Sequence, residues 1–463
     1  MSKRLGRVWI WGAVILALVG VLVIVSGGWQ RHLRKVYEAS LREIRDRGEP
    51  ISPADLGALF PKVAADWEMD ALLLRLFPGL DLEAGRSPVQ ESQLARTLLD
   101  LGGSVAPLTA RDLASMEAEV HTNAAAMDAL LKVDLAGFSW RRNFGEGEDV
   151  LKWTAISRIS VRRELCRALA IRAIWEAEQG RCERAVTALE RGFQMARIPE
   201  PANAVSVCCQ LGCEREVLRA LELCLNRGQW DESSLRRLDG MLARNPNWVI
   251  EEHELTNRAT IIAMMALAPP QVVSAVGLPR WAVRWCSLMS HRRSFAVRLR
   301  QLRDLTALVT ASRLPLREGL VQARVLNTRI QGERNGLLRQ LLTQVDADLM
   351  VDSLVWGNVA QPFILNFKAN CDLQVARAAV AIERWRLAHA GQIPNSWSDL
   401  VPAYLSEVPM DPADDQPLRF IKGPGAGYRV YSCGADLVDD GGVSVMQEWR
   451  QTSGYDVVLR MER

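Results

Sequence analysis

Residues 371–442 read CDLQVARAAVAIERWRLAHAGQIPNSWSDLVPAYLSEVPMDPADDQPLRFIKGPGAGYRVYSCGADLVDDGG, and this stretch decides the fold. It opens as a helix, because Val375, Ala378, Ala379, Ile382, Trp385 and Leu387 recur at helical spacing with Glu383, Arg384 and Arg386 between them. Gly391 stands where a C-terminal cap belongs, and Pro394 stops any continuation. Asn395 or Ser396 then caps a short helical turn carrying Trp397, Leu400 and Val401. A loop through Pro409, Asp411 and Pro412 leads to two strand-like runs, 417–421 and 428–432, joined as a hairpin by the Gly/Pro turn 423–427. An acidic loop follows, with Gly434, Asp436, Asp439, Asp440, Gly441 and Gly442, and the run 455–461 supplies a third strand.

Gly391 and Pro394, Leu400-Val401-Pro402, Asp411-Pro412, Tyr428 with Tyr431-Ser432, and Gly434-Ala435-Asp436 fall in the order found in one known family. Together they resemble the globular head of the major pseudopilin of type II secretion. The resemblance covers residues 367–463 and implies a small α+β head with a short antiparallel sheet, lying outside the inner membrane. It also implies a tie to a secretion or pilus-like apparatus and a calcium site. In such heads the aspartate at the position of Asp436 is a calcium ligand. So is an aspartate before two apolar residues, matched by Asp456 before Val457-Val458. Asp439 and Asp440 offer alternative ligands. Leu437 stands where the family carries glycine, and Tyr455 where a further aspartate often precedes.

The residues themselves support a metal more modestly. Calcium takes several oxygen ligands on a tightly bent loop. Asp436, Asp439 and Asp440 lie close together, and Gly434, Gly441 and Gly442 permit the bend. The loop lacks the register of an EF-hand, so an acidic surface turn is the competing reading.

Upstream of the head the pattern is helical almost throughout. Residues 154–197 form a hairpin turned at Gly180, with Leu165, Leu169, Ile171, Ile174 and Trp175 on one apolar face and Ala185, Ala188, Leu189, Phe193 and Ala196 on the other. A helix runs through Leu225 to Gly228. Another is capped by Asp231 or Ser233 and stopped at Asn245-Pro246, and a third spans 248–268. Short connections between helices suit an α-hairpin array. Further toward the N-terminus, helices are expected at 64–77, 88–101 and 109–131, with a charged stalk helix at 29–47.

The run from Val8 to Ser26 is apolar and free of charge, long enough to cross a bilayer, and flanked by Trp9, Trp11 and Trp29. It reads as an uncleaved anchor, with a cleaved signal peptide as the competitor. Basic residues after the run outnumber those before it, which favours a cytoplasmic body, whereas the resemblance implies a periplasmic one. The latter is the expectation adopted.

Two further features could bear chemistry. Glu251-Glu252-His253-Glu254 sets carboxylates on one helix turn, and a solvated face is the expectation. The arginine-rich run from Arg280 to Arg339 could meet anionic lipid or an acidic partner, although solvated faces suffice to explain it. The net charge of +3 gives no argument for nucleic acid. Nine cysteines leave at least one without a partner in the chain, and buried thiols are expected. Cys208, Cys209 and Cys213 lie close together, but no histidine is near in sequence and adjacent cysteines point to different helix faces, so zinc is not favoured. The chain carries no G-x-S-x-G, HExxH, P-loop or dinucleotide fingerprint.

These readings divide the chain into an anchor at 1–28, a helical stalk and N-terminal helical region at 29–150, an α-hairpin body at 151–366 and the head at 367–463. The fold class is mainly α with a small α+β end. The expected function is a non-enzymatic, membrane-anchored structural or interaction protein of the inner membrane, linked to a secretion or pilus-like apparatus, with calcium held by Asp436, Asp439, Asp440 and Asp456. A generic membrane-tethered helical scaffold is the alternative, and a hydrolase with an unrecognised site a more distant one.

Overall fold

The computed structural model describes residues 27–59, 67–77, 80, 82, 89, 97–99, 107–140, 157–198, 204–243, 249–266, 295–334, 358–425, 427–443 and 456–462. The apolar run from Val8 to Ser26, most of the helix expected at 88–101, and Arg280 to Arg293 lie outside these residues. Among the described residues no helix is long and apolar enough to cross a membrane.

The fold is mainly helical with one small sheet. In chain order the helices are α1 (27–46), α2 (Pro53–Leu59), α3 (Met69–Leu76), α4 (Ala110–Thr122), α5 (Ala124–Leu131), α6 (Ser157–Glu178) and α7 (Cys182–Arg197). They continue as α8 (Ala204–Arg227), α9 (Glu232–Leu242), α10 (Val249–Ala266), α11 (Phe295–Ser312), α12 (Leu316–Arg334) and α13 (Gln361–Ala388). The single helix expected at 109–131 is two. Thr109 caps α4 in a box with Asp112, and the chain kinks at Asn123, which leaves helical ψ at 4°.

The hairpin α6–α7 turns at Gly180, whose φ of 69° favours glycine. Buried Glu176 fastens the turn by pairing with Arg172 on its own helix and Arg181 beyond the turn. Helix α8 lies against both members. Gly192 makes the approach close, since a Cβ there would stand 3.2 Å from Val217 of α8. Asp231, not Ser233, caps α9 by accepting the Ser234 N–H.

Helix α1 does not stand apart as a stalk. Tyr37 and Ile44 share an apolar cluster with Ile51, Ile262 of α10 and Leu302 of α11, and the Phe295 N–H donates to Gln30. The periodicity of 29–47 is weak because only these few positions are covered.

The sheet is antiparallel in the order β1 (Arg419–Lys422), β2 (Tyr428–Ser432), β3 (Val457–Met461). Arg419 faces Tyr431 across the first pair, and Ser432 faces Val457 across the second. Alternation along β2 turns Tyr428, Val430 and Ser432 inward. At Gly427 a Cβ would stand 2.8 Å from the Met461 carbonyl oxygen, so the residue just before β2 has to be small.

The inner face of the sheet packs on α13, where the Tyr428 hydroxyl donates to Glu383 at 3.0 Å. The outer edge of β3 is closed by α8. Glu222 accepts the Arg460 N–H at 2.8 Å, and Asn226 both donates to the Arg460 carbonyl and accepts the Glu462 N–H, each at 2.8 Å. Residues of α6–α9, α11–α13 and the sheet belong to one continuous core. The division drawn at 366/367 therefore falls inside α13, which serves body and sheet alike.

Candidate metal-binding loop

The acidic loop leaves β2 at Cys433 and returns at β3 through Asp456. Its foundation is Asp411, which is fully buried. One Asp411 oxygen accepts from the Ser432 hydroxyl at 2.6 Å and the Ala413 N–H at 2.9 Å. The other accepts from the Cys433 N–H at 2.9 Å and from Arg419 at 2.6 Å. Such a carboxylate fixes the loop before β1 to the end of β2, because its bonds to Ser432 and Cys433 are lost if either segment moves.

Arg419 is the hub of the site. Its guanidinium reaches Asp411, Asp414 and, through Nε at 3.2 Å, Asp439. The hydrogen bonds it donates to Asp414 raise the guanidinium pKa further, and in return Arg419 holds the Asp414 carboxyl below the usual range. Arg419 was not singled out in the sequence. The signal available was its place on β1, one residue past the buried Leu418 and opposite Tyr431.

The four expected ligands do not converge. Asp439 and Asp456 approach each other, and together with Cys433 they offer three ligand atoms within 4.8 Å of one another. Asp411, Asp414 and Cys433 make a second such group. Asp436 and Asp440 are in neither. Asp436 accepts the Val438 N–H and lies in the field of Arg324 and Lys368. Asp440 contributes its N–H to Asp456. Leu437 between them has φ of 67°, in the region that favours glycine, and it packs against the main core.

Asp456 is buried and accepts the N–H groups of Asp440 and Gly442 at 3.2 and 2.6 Å. Burial raises its pKa, with Asp439 and Asp440 adding to the rise and the two N–H bonds opposing it. Burial, then the neighbouring Asp411, pushes the Cys433 thiol up to about 12. Tyr431 rises to about 12 for similar reasons, burial first and then Asp439.

As a donor set, Cys433, Asp439 and Asp456 present one sulfur and two carboxylates. These can hold a divalent cation, but they do not single out calcium, which prefers an all-oxygen shell. Arg419 already supplies part of the positive charge that a metal would bring to Asp439.

The other sequence candidates are also placed. The turn at 251–254 is not a solvated face. Glu252, His253 and Glu254 are buried, and only Glu251 reaches solvent, where it meets Arg313 at 2.8 Å. The reason is that α10 is enclosed by α2, α8 and α11. Burial pushes Glu254 up to about 8. Within the arginine-rich run, Arg313 also pairs with Glu49 at 2.6 Å, Arg329 with Asp304 at 2.5 Å, and Arg298 is buried. Arg329 thus joins α12 to α11, and Arg313 ties the end of α11 to the segment after α1.

No family model, no curated protein and no solved structure matches the chain.

Proposed function

We propose that the chain is a non-enzymatic structural or interaction protein, tethered to the inner membrane by the Val8–Ser26 run, with its body on the periplasmic side. In this reading a divalent cation, calcium by the pseudopilin resemblance, fastens the loop between β2 and β3. The observation that carries the proposal is the approach of the Asp439 and Asp456 carboxylates beside Cys433. The cation would draw the exposed Asp439 onto the buried Asp456 and relieve the repulsion between them. Because β3 is bonded to α8, a stiffer loop is felt by the helical body and by any partner bound to it. The order of motifs in 391–436 supports a tie to a secretion or pilus-like apparatus.

The test is thermal melting of the detergent-solubilised full chain with calcium and with chelator, beside the Asp439→Asn variant. The expected result is a higher melting temperature in calcium for the parent and no shift for the variant. A parent indifferent to millimolar calcium overturns the metal role. Failure to co-purify secretion subunits under conditions where calcium binds overturns the secretion link alone.

A further inference from the structure

A second cluster lies far along the chain from the acidic loop. Among the described residues eight cysteines are present as thiols, and three of them meet between α6 and α8. Cys209 and Cys213 are one turn apart on α8, and their sulfurs are 3.8 Å apart. Cys213 also hydrogen-bonds the thiol of Cys166 from α6. Cys166 in turn contacts the Gly192 carbonyl at 3.8 Å, and Cys209 the Ile159 carbonyl at 3.6 Å. Cys213 is thus the middle member of a row of three sulfurs.

The surroundings are apolar. Cys166 and Cys213 are buried among Val161, Leu165, Leu169 and Met195, and Cys209 packs at the half-buried end of the row. Glu216, whose charge reaches Cys213, is itself held by Arg163 and Arg167. Hard cations require oxygen donors, whereas sulfur donors in an apolar pocket select soft ions. Thiolates bound at ~2.3 Å to one ion stand roughly 4 Å apart; the Cys209–Cys213 pair already has that spacing at 3.8 Å, while Cys166, at the other end of the row, has to turn in to join them.

We propose that Cys166, Cys209 and Cys213 form a thiolate site for a soft monovalent cation of the copper(I) or silver(I) type, with Cys213 as the central ligand. Each sulfur that binds releases its proton to solvent. Two thiols and one cation give a bis-thiolate complex of net charge −1 and two protons, and the third thiol joins at the cost of one more. No electron is transferred. Because each thiol that binds gives up a proton, uptake strengthens with rising pH.

The experiment titrates the reduced full chain in detergent, without oxygen, against copper(I) held by a chromogenic chelator. The expected result is removal of one equivalent, with a sulfur-to-copper charge-transfer band in the ultraviolet. Cys213→Ala lowers the affinity about 100-fold or more, and Cys209→Ser, at the half-buried end, lowers it about tenfold. Cys208→Ser and Cys224→Ser bind as the parent does. Circular dichroism checks that each variant folds, and Cys209→Ser keeps the test open if the buried substitution does not. Parent protein that leaves the copper with the chelator overturns the proposal. So does equal binding by the parent and Cys209→Ser, or a Cys209–Cys213 disulfide as the sole product of exposing the reduced protein to air and copper.

Discussion

The backbone N–H of Arg460 donates to the carboxylate of Glu222 at 2.8 Å, joining the edge of a β-strand to the side of a helix. Asn226, one turn further along α8, completes the pairing with the Arg460 carbonyl and the Glu462 N–H. Side chains thus take the place of a fourth strand. An open strand edge invites pairing with another chain, and this one is closed.

Replacing Asn226 with Leu removes its two bonds to the strand edge and strands the Arg460 carbonyl and the Glu462 N–H. A loss of about 2 kcal/mol is expected by urea unfolding. Hydrogen exchange at Glu462 should accelerate, while that of β1 and β2 is largely retained. Unchanged exchange at Glu462 would show that the edge is held by other contacts.

Asp411→Asn should be more damaging. The amide retains an acceptor for one side of the network but presents N–H groups to donors on the other, and it leaves Arg419 short of a charge partner. Breaking a buried pair from one side costs about 3–5 kcal/mol. Denaturant midpoints of Asp411→Asn and Asp414→Asn provide the comparison. Asp414 is partly exposed and makes fewer bonds to its surroundings, so its variant should fall well short of that loss.

Glu254 gives the fold a pH dependence of defined sign. Its ordinary value is 4.5, and burial moves it to about 8. Between those values the folded chain keeps a proton that the unfolded chain has lost. Stability from this group therefore falls as pH rises from about 4.5 to about 8, and is level outside that window. Glu254→Gln should match the parent at pH 4 and exceed it at pH 9 by on the order of a few kcal/mol. Parallel stability curves for the two proteins would contradict the assignment.

Two glycines should respond in opposite directions to alanine. At Gly319 a Cβ would stand 2.6 Å from the Ala311 carbonyl oxygen, where α12 turns back on α11, so Gly319→Ala should cost about 1–3 kcal/mol. Gly240 is exposed within α9 and a Cβ there meets nothing within 4 Å, so Gly240→Ala should gain about 0.5–1 kcal/mol. Melting temperatures of the two variants should move apart on either side of the parent.

Local chemistry made much of the fold legible. Gly180, Gly391, Asp231 and the strand at 428–432 stand where turn, cap and alternation signals put them, because each acts over a few residues. The breaks at Asn123 and the burial of Glu254 were not legible. Asn is as compatible with a helix interior as with a kink, and enclosure of α10 is set by helices distant in sequence. The same limit applies to the acidic loop. Counting aspartates pointed to Asp436, Asp439 and Asp440, and the family resemblance to Asp456, but neither could foresee that Arg419 would reach Asp439, or that Asp436 would lie in the field of Arg324 and Lys368. Likewise the approach of Cys166 to Cys213 depends on the packing of α6 against α8, which joins segments distant in sequence.

The closed edge of β3 also bears on how the chain is made. Arg460 follows Glu222 by 238 residues. At about 5–20 residues per second the ribosome delivers the strand on the order of ten seconds or more after the helix it completes. The α6–α7–α8 unit is built from contacts near in sequence and can form within that interval. Throughout it, Glu222 and Asn226 remain hydrated and available to any extended segment that passes. The nascent protein thus exposes a vacant strand-binding face, and a chaperone or prompt synthesis of the remainder would guard it.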